Sequence, residues 1–204
     1  MQLTTGKQGV KPKLNMVISG TDGTLISSIS ERIVQQSDRD VELNLVKLPA
    51  LTQLSEEEVV RQALYCASHC DPGVHVFLLI IPDAPLNNED KAEMEKILSS
   101  KINKHIMILI MQNSEHQTAE LNGETQTVIE SFGGRHCFFG PTTQVSTLME
   151  YIEQMVEENK GGFYSTETLF GVQMKKLEEM KKINSLNALQ QFLSQGNDQN
   201  SFRS

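Results

Sequence analysis

Three groups of residues in this sequence carry functional groups at spacings that could do chemistry. Cys66 and Cys70 lie four apart with His69 beside them. A helix brings such positions to one face, where two sulfurs could present themselves to a metal. Zinc needs four ligands, and no second pair of matching spacing exists, so these cysteines read as two buried or half-buried thiols. His136 and Cys137 resemble a base beside a nucleophile. Neighbours on a strand point to opposite faces, so Cys137 reads as a core thiol. His75 and His105 open apolar runs and read as strand-end residues.

The third group is GTDGTLIS, residues 20–27, at the end of an apolar run. A phosphate-binding loop needs G-x-x-x-x-G-K-[ST]: its glycines bring backbone N–H groups to the phosphates, its lysine balances their charge and its hydroxyl holds Mg²⁺. Gly20 and Ser27 match the ends, but Leu25 occupies the second glycine and Ile26 the lysine. The missing charge-assisted hydrogen bond is worth roughly 1.5–3 kcal/mol, or about one to two orders of magnitude in phosphate affinity. Leu25 adds a Cβ where glycine lets the backbone approach, and Asp22 adds negative charge. The stretch Gly20, Thr21, Asp22, Gly23, Thr24, Leu25, Ile26, Ser27 therefore reads as a turn retained for folding, or as a residual phosphate site at a helix N-terminus. No catalytic residue and no metal ligand is expected.

Alternating strands and helices would position these groups. LNMVIS (residues 14–19) reads as a buried strand ending in a tight turn, with helical pattern following to about Gln36. DVELNLVK (residues 40–47) alternates apolar and polar residues like a half-buried strand and ends before Pro49. Ser55 followed by Glu56, Glu57 and Glu58 is a helix start, and that helix runs to about His69. Residues 74–81, 105–111 and 135–139 are apolar runs of strands buried on both faces. Helical stretches fall at about 89–100, 118–131 and 144–158, so the pattern predicts a doubly wound parallel sheet of five strands, with residues 40–47 at its exposed edge. GGFY, residues 161–164, breaks the pattern before a long polar helix, which places a boundary near Gly162. Leu177, Met180, Ile183, Leu186, Leu189 and Phe192 are three apart there, a step that drifts around a helix of 3.6 residues per turn. That tail is expected to pack back on the domain, with a kink or a partner contact; a simple coiled coil is the alternative. Residues 196–204 read as disordered.

The chain of 204 residues is long enough for one α/β core plus an extension. Its 38% apolar and 22% charged residues suit a water-soluble fold rather than a disordered one. Residues 74–81 are far short of the roughly 20 apolar residues of a membrane helix, and the polar start has no signal-peptide core, which makes the cytoplasm the expected location. Three cysteines cannot all pair, so no disulfide framework is expected. A net charge of −8 opposes sequence-independent nucleic-acid binding.

Three segments resemble the GTPase of immunity-associated proteins (GIMAP, or IAN) family: LSEEEVVRQALYCASHCDPGVHVFLLIIP (residues 54–82), LNNEDKAEMEKIL (86–98) and VSTLMEYIEQMVEENKGGFYSTE (145–167). The first is the most specific, combining an acidic helix start, a DPGVHVFLLIIP strand and their spacing. With weaker matches between, the likeness covers roughly residues 14–167. It implies a Ras-like domain with a family-specific insertion and a helical C-terminal extension. Many such proteins associate with intracellular membranes or assemble through the GTP-bound domain.

The resemblance also implies a nucleotide site, element by element. Gly23 fits an extra glycine common in the family's phosphate loop. The strand at residues 40–47 should end in D-x-x-G, whose acid orients Mg²⁺ and whose glycine senses the γ-phosphate, but Lys47 and Ala50 stand there. Too few residues separate Ser27 from Lys47 for a helix, a switch loop and the usual antiparallel edge strand, so the first switch and that strand read as deleted. After residues 105–111 the family carries an aspartate that pairs with guanine. Ser114 stands at about that position, a loss expected to remove most of a discrimination worth roughly 10⁴-fold.

The chain thus reads as a degenerate GIMAP-type G domain at residues 12–163 with a helical extension at 164–204. Its expected role is that of a pseudo-GTPase, an interaction module in immune-type signalling. A weak GTP/GDP-binding switch with little or no hydrolysis is the alternative. No cofactor is expected, GTP or GDP with Mg being the family ligand if the site retains binding. Expected partners are proteins, among them other GIMAP-type domains, and not nucleic acid. A peripheral place on intracellular membranes rests on the resemblance alone.

Overall fold

The computed structural model describes residues 12–37, 40–50, 54–82, 88–95, 100–112 and 121–200. The first strand, β1 (Lys13–Gly20), is buried at every residue after Lys13, as a strand covered on both faces must be. Helix α1 (Gly23–Gln36) follows, then strand β2 (Glu42–Lys47) and helix α2 (Glu56–His69), capped by the Ser55 hydroxyl accepting from the Glu58 N–H. Two short strands come next in place of one: β3 (Gly73–Val74) and β4 (Val76–Ile81). Helix α3 (Asn88–Glu95), a 3₁₀ turn (Ser100–His105) and strand β5 (Ile106–Met111) precede helix α4 (Gly123–Ser131) and strand β6 (His136–Phe139). Helix α5 (Val145–Glu158), strand β7 (Tyr164–Ser165) and helix α6 (Thr166–Asn200) complete the order.

The main sheet has the order β2-β1-β4-β5-β6, and every neighbouring pair is parallel. The expected doubly wound five-stranded sheet is therefore present, with β2 at one edge. That strand begins at Glu42 rather than Asp40. Alternate residues of the central strands feed two cores. Met16, Ile18, Leu78 and Ile80 pack with Ile26, Ile29 and Ile33 of α1 and with Leu148 and Ile152 of α5. Val17, Leu79 and Ile81 pack on the other face with Val59 and Cys66 of α2 and Val128 and Ile129 of α4.

Residues 74–81 form no single strand, because Gly73 and Val74 leave the main sheet to pair antiparallel with Ser165 and Tyr164. A Cβ at Gly73 would lie 2.6 Å from the Tyr164 carbonyl oxygen, so glycine permits this crossing. His75 spans the break. Its N–H donates to the Asn15 carbonyl, while its Nδ1 accepts from the Asn15 N–H at 3.0 Å. The fully buried Asn15 amide donates to the carbonyls of Cys70 and Gly73 and accepts from Asn44, tying β1 to the end of α2. The backbone groups of Asn15 and His75 and the Gly73 carbonyl at the break are thereby satisfied.

Three boundaries differ from the expected ones. His105 closes the 3₁₀ turn instead of opening a strand, and is buried at 1% exposure. The helix expected at residues 118–131 begins at Gly123, where the Asn122 side chain accepts from the Thr125 N–H; residues 118–120 lie outside those described. Helix α6 continues past Gln195 through Asn200. Extending an existing helix avoids the cost of nucleation, so even Gly196 and Asn197 can continue it. Residues 201–204 lie outside those described.

Candidate functional site

Open parallel sheets bind ligands at the carboxyl ends of their strands, and here that edge is formed by Gly20, Lys47, Ile81, Met111 and Phe139. Gly20 is fixed by packing: a Cβ there would sit 2.5 Å from the carbonyl oxygen of Ile80 on β4. The connection from β1 to α1 then consists of Thr21 and Asp22 alone, because α1 starts at Gly23. Two residues form a tight turn, whereas a phosphate cradle needs a run of successive N–H groups wrapping an anion.

Asp22 takes the place an anion would occupy. It is the N-cap of α1, and its Oδ1 accepts from the N–H of Thr24 at 2.8 Å and of Leu25 at 3.2 Å. These are among the donors that a helix N-terminus would offer to a phosphate. The sequence-level view of Asp22 as mere stray charge missed this role, although an aspartate just before a helical pattern is a cap signal. Thr24 is exposed, Leu25 half-buried and Ser27 half-buried. Ile26, at the lysine position of the motif, is 2% exposed and packs in the core with Ile18 and Ile29. Its side chain points into the protein, not over the turn.

The other expected positions scatter. Lys47 is exposed at the end of β2, level with Ile18. Ala50 is buried, and its Cβ lies 3.8 Å from where a Gly23 Cβ would stand. The chain following β2 thus closes against the start of α1. Ser114 lies outside the described residues. Ser19, next to Gly20, has a buried hydroxyl with no hydrogen-bond partner.

The cysteines behave as core thiols. Cys66, Cys70 and Cys137 are all buried and free. Burial pushes Cys66 and Cys137 up to about 12 and Cys70 up to about 11, which withholds the thiolate that nucleophilic attack or zinc binding requires. No cluster of three or more His, Cys, Asp or Glu able to hold a metal occurs among the described residues. The Nδ1–H of His136 donates to the Gly134 carbonyl oxygen of its own turn at 3.0 Å, and the ring does not meet Cys137.

One cleft escaped sequence reading. It measures about 540 Å³ and is lined by Pro12, Lys13, Val41, His75, Glu153 and Val156, among others. These residues start strands or end α5, so the cleft opens at the amino edge of the sheet, opposite the turn at Gly20. Its members come from both ends of the domain, Pro12 to His75 and Glu153 to Gly161, and no local pattern announces them.

Among the described residues no helix is long and apolar enough to cross a membrane. A family model described as the AIG1 family matches residues 19–184, from the end of β1 into α6. That span covers most of the chain, includes the turn at Gly20, and reaches the proximal half of the C-terminal helix. The parallel sheet with a C-terminal helix suits the GTP-binding domain of that family, and the chain belongs to the AIG1 family, the GTPase family that includes the GIMAP proteins.

Proposed function

We propose that this chain is a pseudo-GTPase, a G-domain scaffold that acts as an interaction module in immune-type signalling and contacts other proteins, GIMAP-type domains among them. The observation that carries this reading is Asp22. Its carboxylate engages N–H groups at the start of α1, so an incoming phosphate must displace a tethered anion and then face its charge. Ile26 supports the same reading, since a buried isoleucine offers the β- and γ-phosphates no cation. Lys47 replaces the acid that would organise Mg²⁺.

The weak-switch alternative draws on family membership, because AIG1 domains are GTP-binding domains. Calorimetry and thermal melting with millimolar GTP or GDP plus Mg²⁺ separate the two. A ligand of the native state raises stability by RT ln(1 + [L]/Kd). The expected result is an unchanged melting temperature and no binding heat. A saturable shift would establish the weak switch and sink the pseudo-GTPase.

A further inference from the structure

The cleft at the amino edge of the sheet is walled by three kinds of chemistry. Part of the lining is apolar: Leu14 at the start of β1, Val41 just before β2 and Val156 of α5. A hydrogen-bond donor adjoins it. The Nδ1 of His75 accepts from the Asn15 N–H, so the proton of the neutral imidazole sits on Nε2. That Nε2–H has no hydrogen-bond partner among the described residues, and a T-shaped contact with Phe163, 5.8 Å between centroids, holds the ring. The third component is a pair of carboxylates. Glu153 and Glu157 lie four apart on α5, so one face of that helix presents both to the cleft. Neither has an ion pair among the described residues.

Folding gains nothing from these two acids. Like charges four apart on a helix repel, and carboxylates in its last turns oppose its dipole, yet the last turn of α5 holds no basic residue. Lys13 is the one cation among the lining residues and offsets only one of the two charges. A ligand that satisfies the whole lining therefore needs an apolar stem, a hydrogen-bond acceptor and a cation. An arginine within a peptide carries all three: a backbone carbonyl for the His75 Nε2–H, an aliphatic stem for the apolar side chains, and a guanidinium whose donors match carboxylates. The cleft, at about 540 Å³, is of a size that holds such a segment. We propose that it binds a short stretch of a partner protein in which an arginine lies between apolar residues, with the guanidinium between Glu153 and Glu157. This rests on the reading of the chain as an interaction module, and adds where and by what chemistry it takes hold of a partner. The cleft lies at the opposite end of the sheet from the turn at Gly20, so this binding does not depend on nucleotide.

Amide chemical shifts of the isotope-labelled full chain, titrated with the tripeptide leucyl-arginyl-leucine capped at both ends, up to about 10 mM, test this. Saturable changes are expected at Leu14, Val41, His75 and Val156, and not along residues 20–27. The citrulline counterpart, of the same shape but uncharged, should bind at least about tenfold more weakly, because its hydrogen bonds to the carboxylates lose their charge assistance. Glu153→Gln with Glu157→Gln should weaken the arginine peptide by at least about tenfold, while the melting temperature holds, since both side chains are exposed. The absence of saturable changes overturns the proposal, as do changes confined to another surface. Equal binding of the citrulline peptide, or equal binding by the glutamine variant, overturns it too. A failed peptide titration removes this inference and leaves the pseudo-GTPase reading standing, whereas a saturable melting shift with GTP removes that reading whatever the peptide does.

Discussion

At the scale of single residues, Ile26 and Asp22 decide what the turn at the end of β1 can do. Writing Leu25→Gly and Ile26→Lys restores the letters of a phosphate loop without its geometry, since position 26 faces the core and the turn still has two residues. The double variant is expected to lose about 2–4 kcal/mol from lost packing and a poorly solvated ammonium, and to melt roughly 5–15 °C lower. It should gain at most feeble phosphate affinity. Tight guanine-selective binding would show that the turn had rebuilt itself. Two histidines set a pH dependence. Burial lowers His75 and His105 below the ordinary histidine range, and the Nδ1 of His75 would lose its bond from the Asn15 N–H on protonation. The unfolded chain takes up protons near pH 6.5 that the native protein refuses, so the unfolded state binds more protons below that pH. Stability should therefore be full above about pH 7 and fall as the pH drops through about 6.5. Urea titrations between pH 7.5 and 5.5 would measure it, and His105→Gln should flatten the slope even if it lowers stability throughout.

At the scale of elements, α6 is one helix with two jobs. Its first half closes the seam against α2 with Leu169 and Gln173, and its second half leaves the body. Removing residues 184–204 should leave the melting temperature of dilute protein within about 1–2 °C of the full chain, because no core residue is exposed. Removing residues 166–204 should lower it by roughly 5–10 °C, since burial of each large apolar side chain is worth about 1.5–3 kcal/mol. Equal losses from both truncations would mean that the distal half also packs on the domain. The strand pair β3–β7 belongs to the same closure. It brings Tyr164 under His105 and Phe77, with ring centroids 6.4 and 6.5 Å away, and so anchors the start of α6.

At the scale of the molecule, the sheet presents two ends of different character. The carboxyl edge carries the Asp22 cap, the inward-turned Ile26 and Ala50 packed against Gly23. The amino edge carries the cleft at Lys13 and His75. If the chain is a pseudo-GTPase as proposed, assembly organised by nucleotide across the first of these edges has no ligand to depend on. Adding GTP with Mg²⁺ is thus expected to leave the mass in light scattering unchanged at any protein concentration. A GTP-dependent rise in mass would return the chain to the switches of its family.

The sequence by itself determined the layers and their order. Hydrophobic runs of strand length alternating with helical periods leave few ways to bury both faces of each strand, and the acidic start after Ser55 is a local signal with a local cause. It also showed that isoleucine, not lysine, stands at position 26 and that few residues separate Ser27 from Lys47. Tertiary structure decided the rest. That Asp22 caps rather than merely repels depends on where α1 begins, which Gly20 fixes by touching Ile80 some sixty residues away. That residues 73–81 break at His75 depends on Tyr164 and Asn15, neither of them local. The three-residue apolar step in α6 specified a drifting stripe. Its division into a buried first half and an exposed second half followed only from the length of α2, whose start lies beside residues up to Asn184.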